Sequence, residues 1–198
     1  KRMIKYRTLD DHDFSKDRVL LRLDLNLPTH NGAISDPTRL TKAIPTIARL
    51  ASQGAKVIII SHFGRPKGKI VKELSMKQIF SGLCEALNGF TVKFIPHSIG
   101  SKVADDIRNM KNGEICLLEN LRFHPGEEEI DLEFSKSLAL LGNCFVNDAF
   151  SVSHRAHAST AGIARLMPSF AGPLMDLELK ALSNSLDSPK RPLTAIIG

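Results

Sequence analysis

The chain has 198 residues, of which 42% are hydrophobic, and it carries a formal net charge of +6. These values suffice for a sizeable core, and one domain is the default at this length. The sequence contains no long apolar run and no signal-peptide core, so we expect no transmembrane helix and a cytoplasmic location. Three cysteines lie in apolar segments without a CxxC pair, which predicts buried thiols, not metal ligands or nucleophiles. They are Cys84, Cys116 and Cys144.

The positive charge is concentrated in the first half of the chain. Residues 1–100 hold 17 Lys and Arg against 8 Asp and Glu, whereas residues 101–198 hold 10 against 13. This imbalance favours an anionic partner, and a nucleic acid would reveal itself by steep salt dependence. The chain has no Trp and one Tyr, and it lacks runs of Lys and Arg. We therefore expect a small anionic metabolite, and neither nucleic acid nor membrane, as the partner.

Strands and helices alternate along the chain. The apolar stretch 18–24 predicts the first strand. Asp36 is the predicted N-cap of a helix with Pro37 at its first position, and Gly54 ends this helix. Pro45 lies inside the helical pattern and is expected to kink it.

The later elements continue this alternation. Strands are predicted at 57–60, 91–95, 115–118 and 144–148, and helices at 75–89, 101–110, from 131 onwards and at 176–186. The alternation predicts an α/β fold, a three-layer sandwich in which a Rossmann-like parallel sheet is flanked by helices on both faces. Residues 192–198 then predict a buried-type strand that enters a glycine turn. Such a strand needs neighbours, so we expect a second domain to follow.

The stretch 61–69 carries a dense cluster of hydrogen-bond donors. It follows the apolar strand 57–60 and contains His62, Arg65 and Lys67, with glycines that favour a loop. Ligands of open parallel sheets bind at the carboxyl ends of the strands. Donors without carboxylates at that place should hold an anion, and the planar fork of Arg65 suits phosphate. From this stretch alone, a solvated basic turn is an equal alternative.

Other strand ends repeat the pattern. The candidates are Asp24 and Asn26 after the first strand, Arg39 at the start of the next helix, Arg122 after the strand 115–118, and His154, Arg155 and His157 after the strand 144–148. Arg122 could instead form a surface ion pair with Glu127 or Glu128. The two histidines could decorate a turn, and no third ligand at a suitable spacing supports a metal site. The run 127–129 predicts a solvated loop.

Together, these side chains should converge on one rim of one sheet. Like charges held close together repel, so an anion is expected between them. Asp24 and Asn26 add acceptors for a hydroxylated ligand, which indicates a phosphorylated hydroxy acid or a sugar phosphate. The sequence has neither GxxxxGK[ST] nor GxGxxG, and no Ser or Cys nucleophile with a suitable base stands out.

Six segments of the chain resemble the phosphoglycerate kinase family in order and spacing. They are RVLLRLDLNLP, DPTRL, GAKVIIISHFGRPKGK, LLENLRFHPGEE, FVNDAFSVSHRAHAST and KRPLTAIIG. The match extends over almost the whole chain and corresponds to the amino-terminal, substrate-binding half of the family. The resemblance implies a monomeric, two-lobed, cytosolic glycolytic enzyme. That enzyme transfers a phosphoryl group between 1,3-bisphosphoglycerate and ADP, and gives 3-phosphoglycerate and Mg-ATP.

The resemblance also implies roles for individual residues. The LDLN segment contributes Asp24, Leu25 (through its backbone) and Asn26 to the glycerate hydroxyl and carboxylate region. The substrate-binding set also contains His62, Phe63, Gly64, Arg65, Arg122 and Arg155, of which the histidine and the three arginines should hold the 3-phosphate. Arg39 should act catalytically by facing the migrating phosphoryl group, in line with the electrostatic logic of phosphoryl transfer.

The departures from the family pattern are mild. Leu25 stands where Phe is more frequent, Phe63 where Leu is more frequent, and Ser153 where Gly is usual. None of these changes removes a charged group, although they can alter local loop geometry.

The larger departure is length, because the nucleotide lobe of the family begins about where this chain ends. Residues 1–175 would form the 3-phosphoglycerate-binding domain, and residues 176–198 the interdomain helix and the first strand of the nucleotide domain. Mg-ATP or Mg-ADP would bind to that other domain, so no cofactor or metal ligands are expected in this chain, which should be inactive alone. The competing class is a stand-alone anion-binding or regulatory module.

Overall fold

The computed structural model describes residues 5–30 and 33–187. Its strands are β1 Arg18–Arg22, β2 Thr29–His30, β3 Ala33–Ile34, β4 Lys56–Ile60, β5 Val92–Ile95, β6 Ile115–Leu118, β7 Cys144–Asn147 and β8 Ser169–Ala171. Its α-helices are α1 Thr38–Ser52, α2 Lys77–Ala86, α3 Ser101–Arg108, α4 Pro125–Glu128, α5 Leu132–Ala139 and α6 Pro173–Asp187. Over the described ranges, no helix is long and apolar enough to cross a bilayer.

Six of the described strands form one sheet in the order β5-β6-β4-β1-β7-β8. Every pairing in this sheet is parallel, for example Leu20 with Ile58 and Leu20 with Phe145. This arrangement confirms the predicted parallel sheet and puts the carboxyl ends of β6, β4, β1 and β7 side by side. A separate antiparallel pair, β2 and β3, flanks positions 31–32 of the predicted turn, which lie outside the described residues.

The central strands are apolar on both faces because helices cover both faces of the sheet. Val57 and Ile59 of β4 belong to a core that includes the apolar sides of α1 and α2. Ile58 and Ile60 point the other way, into a core formed with α3 and α5. Successive residues of a strand face opposite sides, so a strand in the middle layer must be hydrophobic throughout. The three-layer sandwich is therefore confirmed.

Helix α1 begins one residue later than predicted. Pro37 is the N-cap, while the Asp36 carboxylate still accepts from the backbone N–H of Thr38 (2.9 Å) and from its hydroxyl (2.6 Å). The helix continues through Pro45 to Ser52 without a break. Proline removes one backbone hydrogen bond, and the buried apolar face of the helix compensates for that loss.

The cysteines differ in burial. Cys116 and Cys144 are buried as predicted, whereas Cys84 on α2 is only half-buried. Burial raises the pKa of the Cys144 thiol to about 12, so this thiol stays protonated at neutral pH. Cys84 follows the buried Leu83, and the rotation of the helix from one residue to the next turns it away from the core.

Asp148 fixes the start of α6. Its carboxylate is buried after β7, and it accepts from the backbone N–H groups of Leu174 (2.7 Å) and Met175 (3.2 Å). The Thr46 hydroxyl of α1 donates to the same carboxylate at 2.6 Å. The helix predicted at 176–186 therefore exists and begins three residues earlier, because Asp148 satisfies its first turn. The strand predicted at 192–198 lies outside the described residues.

The central position of Ile58 gives a test of this core. Ile58→Ala should lower the free energy of unfolding by about 2–5 kcal/mol, because it leaves a cavity between β4 and the helices over it. Ile70→Ala removes the same atoms from a side chain that is 84% exposed, and it should change stability by less than about 0.5 kcal/mol. Urea unfolding measures the free energy of unfolding of both variants. Equal losses of stability in the two variants would contradict the assigned core.

Candidate functional site

A cavity of about 300 Å³ opens at the carboxyl ends of the central strands. Its walls come from the segments that follow β1, β4, β6 and β7 and from the first turn of α1. The lining residues are Asp24, Asn26, Arg39, His62, Gly64, Arg65, Arg122, Ser151, Val152, His154 and Arg155. Segments far apart in the chain meet here because adjacent parallel strands end at one edge.

Four of the described arginines line this cavity, as the sequence analysis expected. Arg65 and Arg155 are exposed at its mouth, and Arg39 lies at the start of α1. Arg122 is buried, and its Nη1 donates to the Gly64 carbonyl at 2.9 Å. Gly64 itself has a φ of 62°, and a Cβ there would collide with the side chain of Leu74, so glycine is required at this turn.

The acceptors of the cavity come from the loop after β1. The Asp24 carboxylate accepts from the Ser151 hydroxyl at 2.5 Å and lies 3.2 Å from the Arg39 guanidinium. The Asn26 side-chain oxygen accepts from the backbone N–H of Gly64 at 2.9 Å, and its backbone carbonyl accepts from Arg39. These contacts tie the loops after β1 and β4 to each other and hold both side chains at the rim.

Lys67 and His157 do not line the cavity, and neither do two residues of the substrate-binding set implied by the resemblance. The side chains of Leu25 and Phe63 are buried in the core beneath α1 and α2. Their backbone N–H groups donate to the Ser61 hydroxyl (3.0 Å) and to the Asn120 side-chain oxygen (3.2 Å). Both residues therefore shape the loops that present their neighbours, and their side chains do not face the cavity.

A fifth arginine, which the sequence analysis did not select, lies buried beneath the cavity. Arg22 is the last residue of β1 and is 1% exposed. Its Nε donates to the Ser159 hydroxyl at 3.0 Å, its Nη2 contacts His62 Nδ1 at 3.1 Å, and its Nη1 donates to the Leu23 carbonyl. The sequence contains a signal for the burial of Arg22. Side chains of a strand alternate between its two faces, and Arg22 lies on the same face as the buried Leu20.

The prediction of a solvated loop at 127–129 is wrong for Glu127. This residue lies in the short helix α4 and is fully buried. Its carboxylate accepts from the Ser159 backbone N–H (3.0 Å) and hydroxyl (2.5 Å), and His157 Nδ1 lies 3.8 Å away. Glu128 and Glu129 are exposed, so one turn of helix directs a single carboxylate inward.

The alternative for Arg122, a surface ion pair with Glu127 or Glu128, is confirmed in part. Arg122 Nε lies 3.5 Å from the Glu128 carboxylate, which makes an ion pair without a hydrogen bond, but the arginine side chain is buried and not at the surface. Burial lowers the pKa of Arg122, and the carboxylates of Glu128 and Glu127 oppose this effect. A charge removed from water on one side and facing the cavity on the other favours an anion in the cavity.

His62 lies between the buried network and the cavity. It is 4% exposed, and burial together with the charges of Arg22 and Arg122 lowers its pKa to about 2. The ring is therefore neutral at physiological pH. Because a guanidinium can only donate, Nδ1 must accept from Arg22, and the proton resides on Nε2.

The two histidines after β7 have different environments. His154 is exposed at the cavity and accepts from Arg155 Nε at 3.1 Å, whereas His157 is buried near Glu127. Burial lowers the pKa of His157. Within the residues that the structure describes, no group of three or more His, Cys, Asp or Glu side chains could hold a metal ion.

The fold and the cavity define a class of protein: a parallel α/β domain with an arginine-lined cavity at its strand ends. The phosphoglycerate kinase family model matches residues 9–198. The chain therefore belongs to the phosphoglycerate kinase family.

Individual relatives agree with this assignment. The chain is 47% identical over 193 residues to phosphoglycerate kinase of Cereibacter sphaeroides and 49% identical to that of Brucella suis, with 98% of this chain and 49% of each relative covered. The structure of phosphoglycerate kinase from Coxiella burnetii superposes with a TM-score of 0.84 and 38% identity, and covers 95% of this chain and 47% of that one. The chain thus spans about half the length of the relatives it matches.

The depressed pKa of His62 makes stability depend on pH. Between about pH 6.5 and 2 the unfolded chain binds a proton at His62 that the folded chain does not, so the free energy of unfolding should fall as pH is lowered through this window. In His62→Gln, the slope between pH 6 and 4 should decrease by up to about 1.4 kcal/mol per pH unit. Urea unfolding at several pH values measures this slope.

The exposed His97 supplies the control for this experiment, because its ring contacts water in both states. His97→Gln shows the effect of the same substitution at an exposed position. If His62→Gln keeps the wild-type slope, the assignment of a neutral, buried His62 is incorrect.

Proposed function

We propose that this chain is the glycerate-binding half of a phosphoglycerate kinase. In this role it binds 3-phosphoglycerate or 1,3-bisphosphoglycerate in the cavity at the strand ends. Arg65, Arg122, Arg155 and His62 hold the 3-phosphate. Asp24 and Asn26 bind the hydroxyl and carboxylate region, because they add a carboxylate and an amide group to the cavity lining.

One observation supports this proposal above all: four arginines that are distant in sequence face a single small cavity. Asp24 is the one carboxylate among the described residues that line it. Asp24 pairs with Arg39 and Glu128 pairs with Arg122, so the four guanidinium groups still leave an excess of positive charge, which a doubly charged phosphate and a carboxylate would neutralise. The cavity volume suits a molecule of three carbons better than a polymer.

Arg39 is positioned differently from the other three arginines. It lies at the first turn of α1, about half of its side chain is exposed, and the Asp24 carboxylate and the Asn26 carbonyl hold it. In the proposed reaction, Arg39 faces the phosphoryl group that migrates between the acyl phosphate and ADP, and offsets its charge in the transition state. No side chain needs to form a covalent bond.

The share of the relatives that this chain covers supports a division of the whole enzyme into two halves. In the proposal, residues 1–175 form the glycerate domain, and residues 176–198 lead into a nucleotide domain that the other half of the relatives would supply. That domain binds Mg-ATP or Mg-ADP. The whole enzyme is proposed to be a cytoplasmic monomer of glycolysis that binds neither nucleic acid nor membranes.

Arg65 provides the direct test of the phosphate site. Arg65→Ala should weaken binding of 3-phosphoglycerate at least about tenfold, because it removes a charge-assisted hydrogen bond. Lys69→Ala removes an exposed cation a few residues further along, outside the cavity lining, and should change the dissociation constant less than about twofold. Calorimetric titration at fixed ionic strength measures both. Equal losses would indicate non-specific attraction.

A second experiment tests the division between two halves. The isolated chain should give no ATP from 1,3-bisphosphoglycerate and ADP in a coupled assay, because domain closure must bring the substrates together and exclude water. A full-length phosphoglycerate kinase at equal concentration is the positive control. Normal turnover by this chain alone would contradict the proposed division.

A further inference from the structure

A chain of buried polar contacts connects helix α4 with the cavity. Glu127 accepts from the Ser159 hydroxyl at 2.5 Å, Ser159 accepts from Arg22 Nε at 3.0 Å, and Arg22 Nη2 contacts His62 Nδ1 at 3.1 Å. All four residues are buried, and His62 alone of the four lines the cavity. The contacts thus run from a carboxylate outside the cavity to a ring at its wall.

The direction of each hydrogen bond in this chain is fixed by chemistry. Arg22 can only donate, so the single hydroxyl proton of Ser159 remains available and points to Glu127. The Arg22 guanidinium is fully buried and needs a nearby negative charge to remain ionised. Burial lowers the pKa of Arg22. The carboxylate of Glu127, and after it that of Asp24, acts in the opposite direction and favours the charged guanidinium.

This arrangement determines which nitrogen of His62 carries the proton. The Nδ1–H tautomer would put two donors against each other, so an oriented Arg22 selects the Nε2–H tautomer. Nδ1 is already occupied, which leaves Nε2–H as the donor that His62 can offer to the cavity. Burial of the ring disfavours an imidazolium, and so do the charged or titratable groups around it, which are Arg22, Arg122, His157 and Arg39.

We propose that Glu127 is a positioning residue that, through Ser159 and Arg22, holds His62 as the neutral Nε2–H tautomer with its donor directed at the phosphate of the ligand. The last part of this statement rests on the proposed function, because it needs a phosphorylated glycerate in the cavity. The control of the tautomer stands without any ligand. Glu127 never touches the ligand in this arrangement.

The first measurement follows the His62 tautomer in the ligand-free 198-residue chain. Long-range proton–nitrogen spectra of ¹⁵N-histidine-labelled protein distinguish the Nε2–H and Nδ1–H forms, and His62→Gln identifies the signal. The wild type should show the Nε2–H form between pH 6 and 8. Glu127→Gln should give a mixture of tautomers, because Gln lacks the charge and presents an amide N–H₂ where Ser159 requires an acceptor.

The matched control is Glu129→Gln. Glu129 belongs to the same acidic run and is exposed. The same chemical change there should leave the His62 nitrogen shifts at their wild-type positions. Backbone amide spectra of each variant verify that the chain is folded.

Ser159→Ala is the second variant, because it breaks the contact between Glu127 and Arg22 and leaves every charge in place. It should change the His62 tautomer in the same direction as Glu127→Gln does. If Glu127→Gln does not fold, Ser159→Ala alone tests the positioning role of Glu127. In both variants, binding of 3-phosphoglycerate should weaken at least about tenfold, and in Glu129→Gln less than twofold.

The outcomes separate the two proposals. Unchanged His62 shifts in the folded Ser159→Ala variant would overturn the positioning role of Glu127, even if binding weakens. A second outcome is that the variants shift the His62 tautomer while the wild-type chain does not bind 3-phosphoglycerate. This outcome would overturn the proposed function and support the control of His62 by Glu127. A change in both tautomer and affinity, absent in Glu129→Gln, supports both.

Discussion

A buried guanidinium needs a nearby negative charge. The arrangement of the site depends on how the charge of Arg22 is compensated inside the protein. The strand β1 carries Arg22 into the interior at the point where the sheet ends, and α4 brings Glu127 to the same interior from another segment. Ser159 joins the two by accepting from one and donating to the other. The result is a neutral, oriented His62 at the cavity wall. The positive charge of Arg22 is balanced inside the protein by Glu127.

The cavity above this network combines buried hydrogen-bond donors with exposed arginines. Arg122 and His62 are buried and fixed by backbone and side-chain contacts, whereas Arg65 and Arg155 reach the mouth as exposed side chains. Buried groups have little conformational freedom to lose when an anion arrives, and exposed arginines can adjust to it. Asp24 and Asn26, from the loop after β1, add acceptors to the same cavity lining, beside Arg39 and Gly64.

The sequence predicted the sheet and most of the rim, and it failed where tertiary structure decides. Arg39, Arg65, Arg122 and Arg155 could be brought together because parallel strands end at one edge, which is a rule of topology. Glu127 could not be placed, since three consecutive glutamates carry no signal for which one points inward. The short strand β8 was missed because three residues after a proline show no usable alternation. The site roles themselves rest on the family resemblance and on the experiments given above.

The buried carboxylate of Asp148 has a mechanical consequence. It binds the hydroxyl of Thr46 in the middle of α1 and two amide groups in the first turn of α6. A tilt of α6 at its origin would have to break these contacts or move α1 as well. Because Arg39 occupies the first turn of α1, Asp148 connects the origin of α6 with the helix that carries this residue of the cavity.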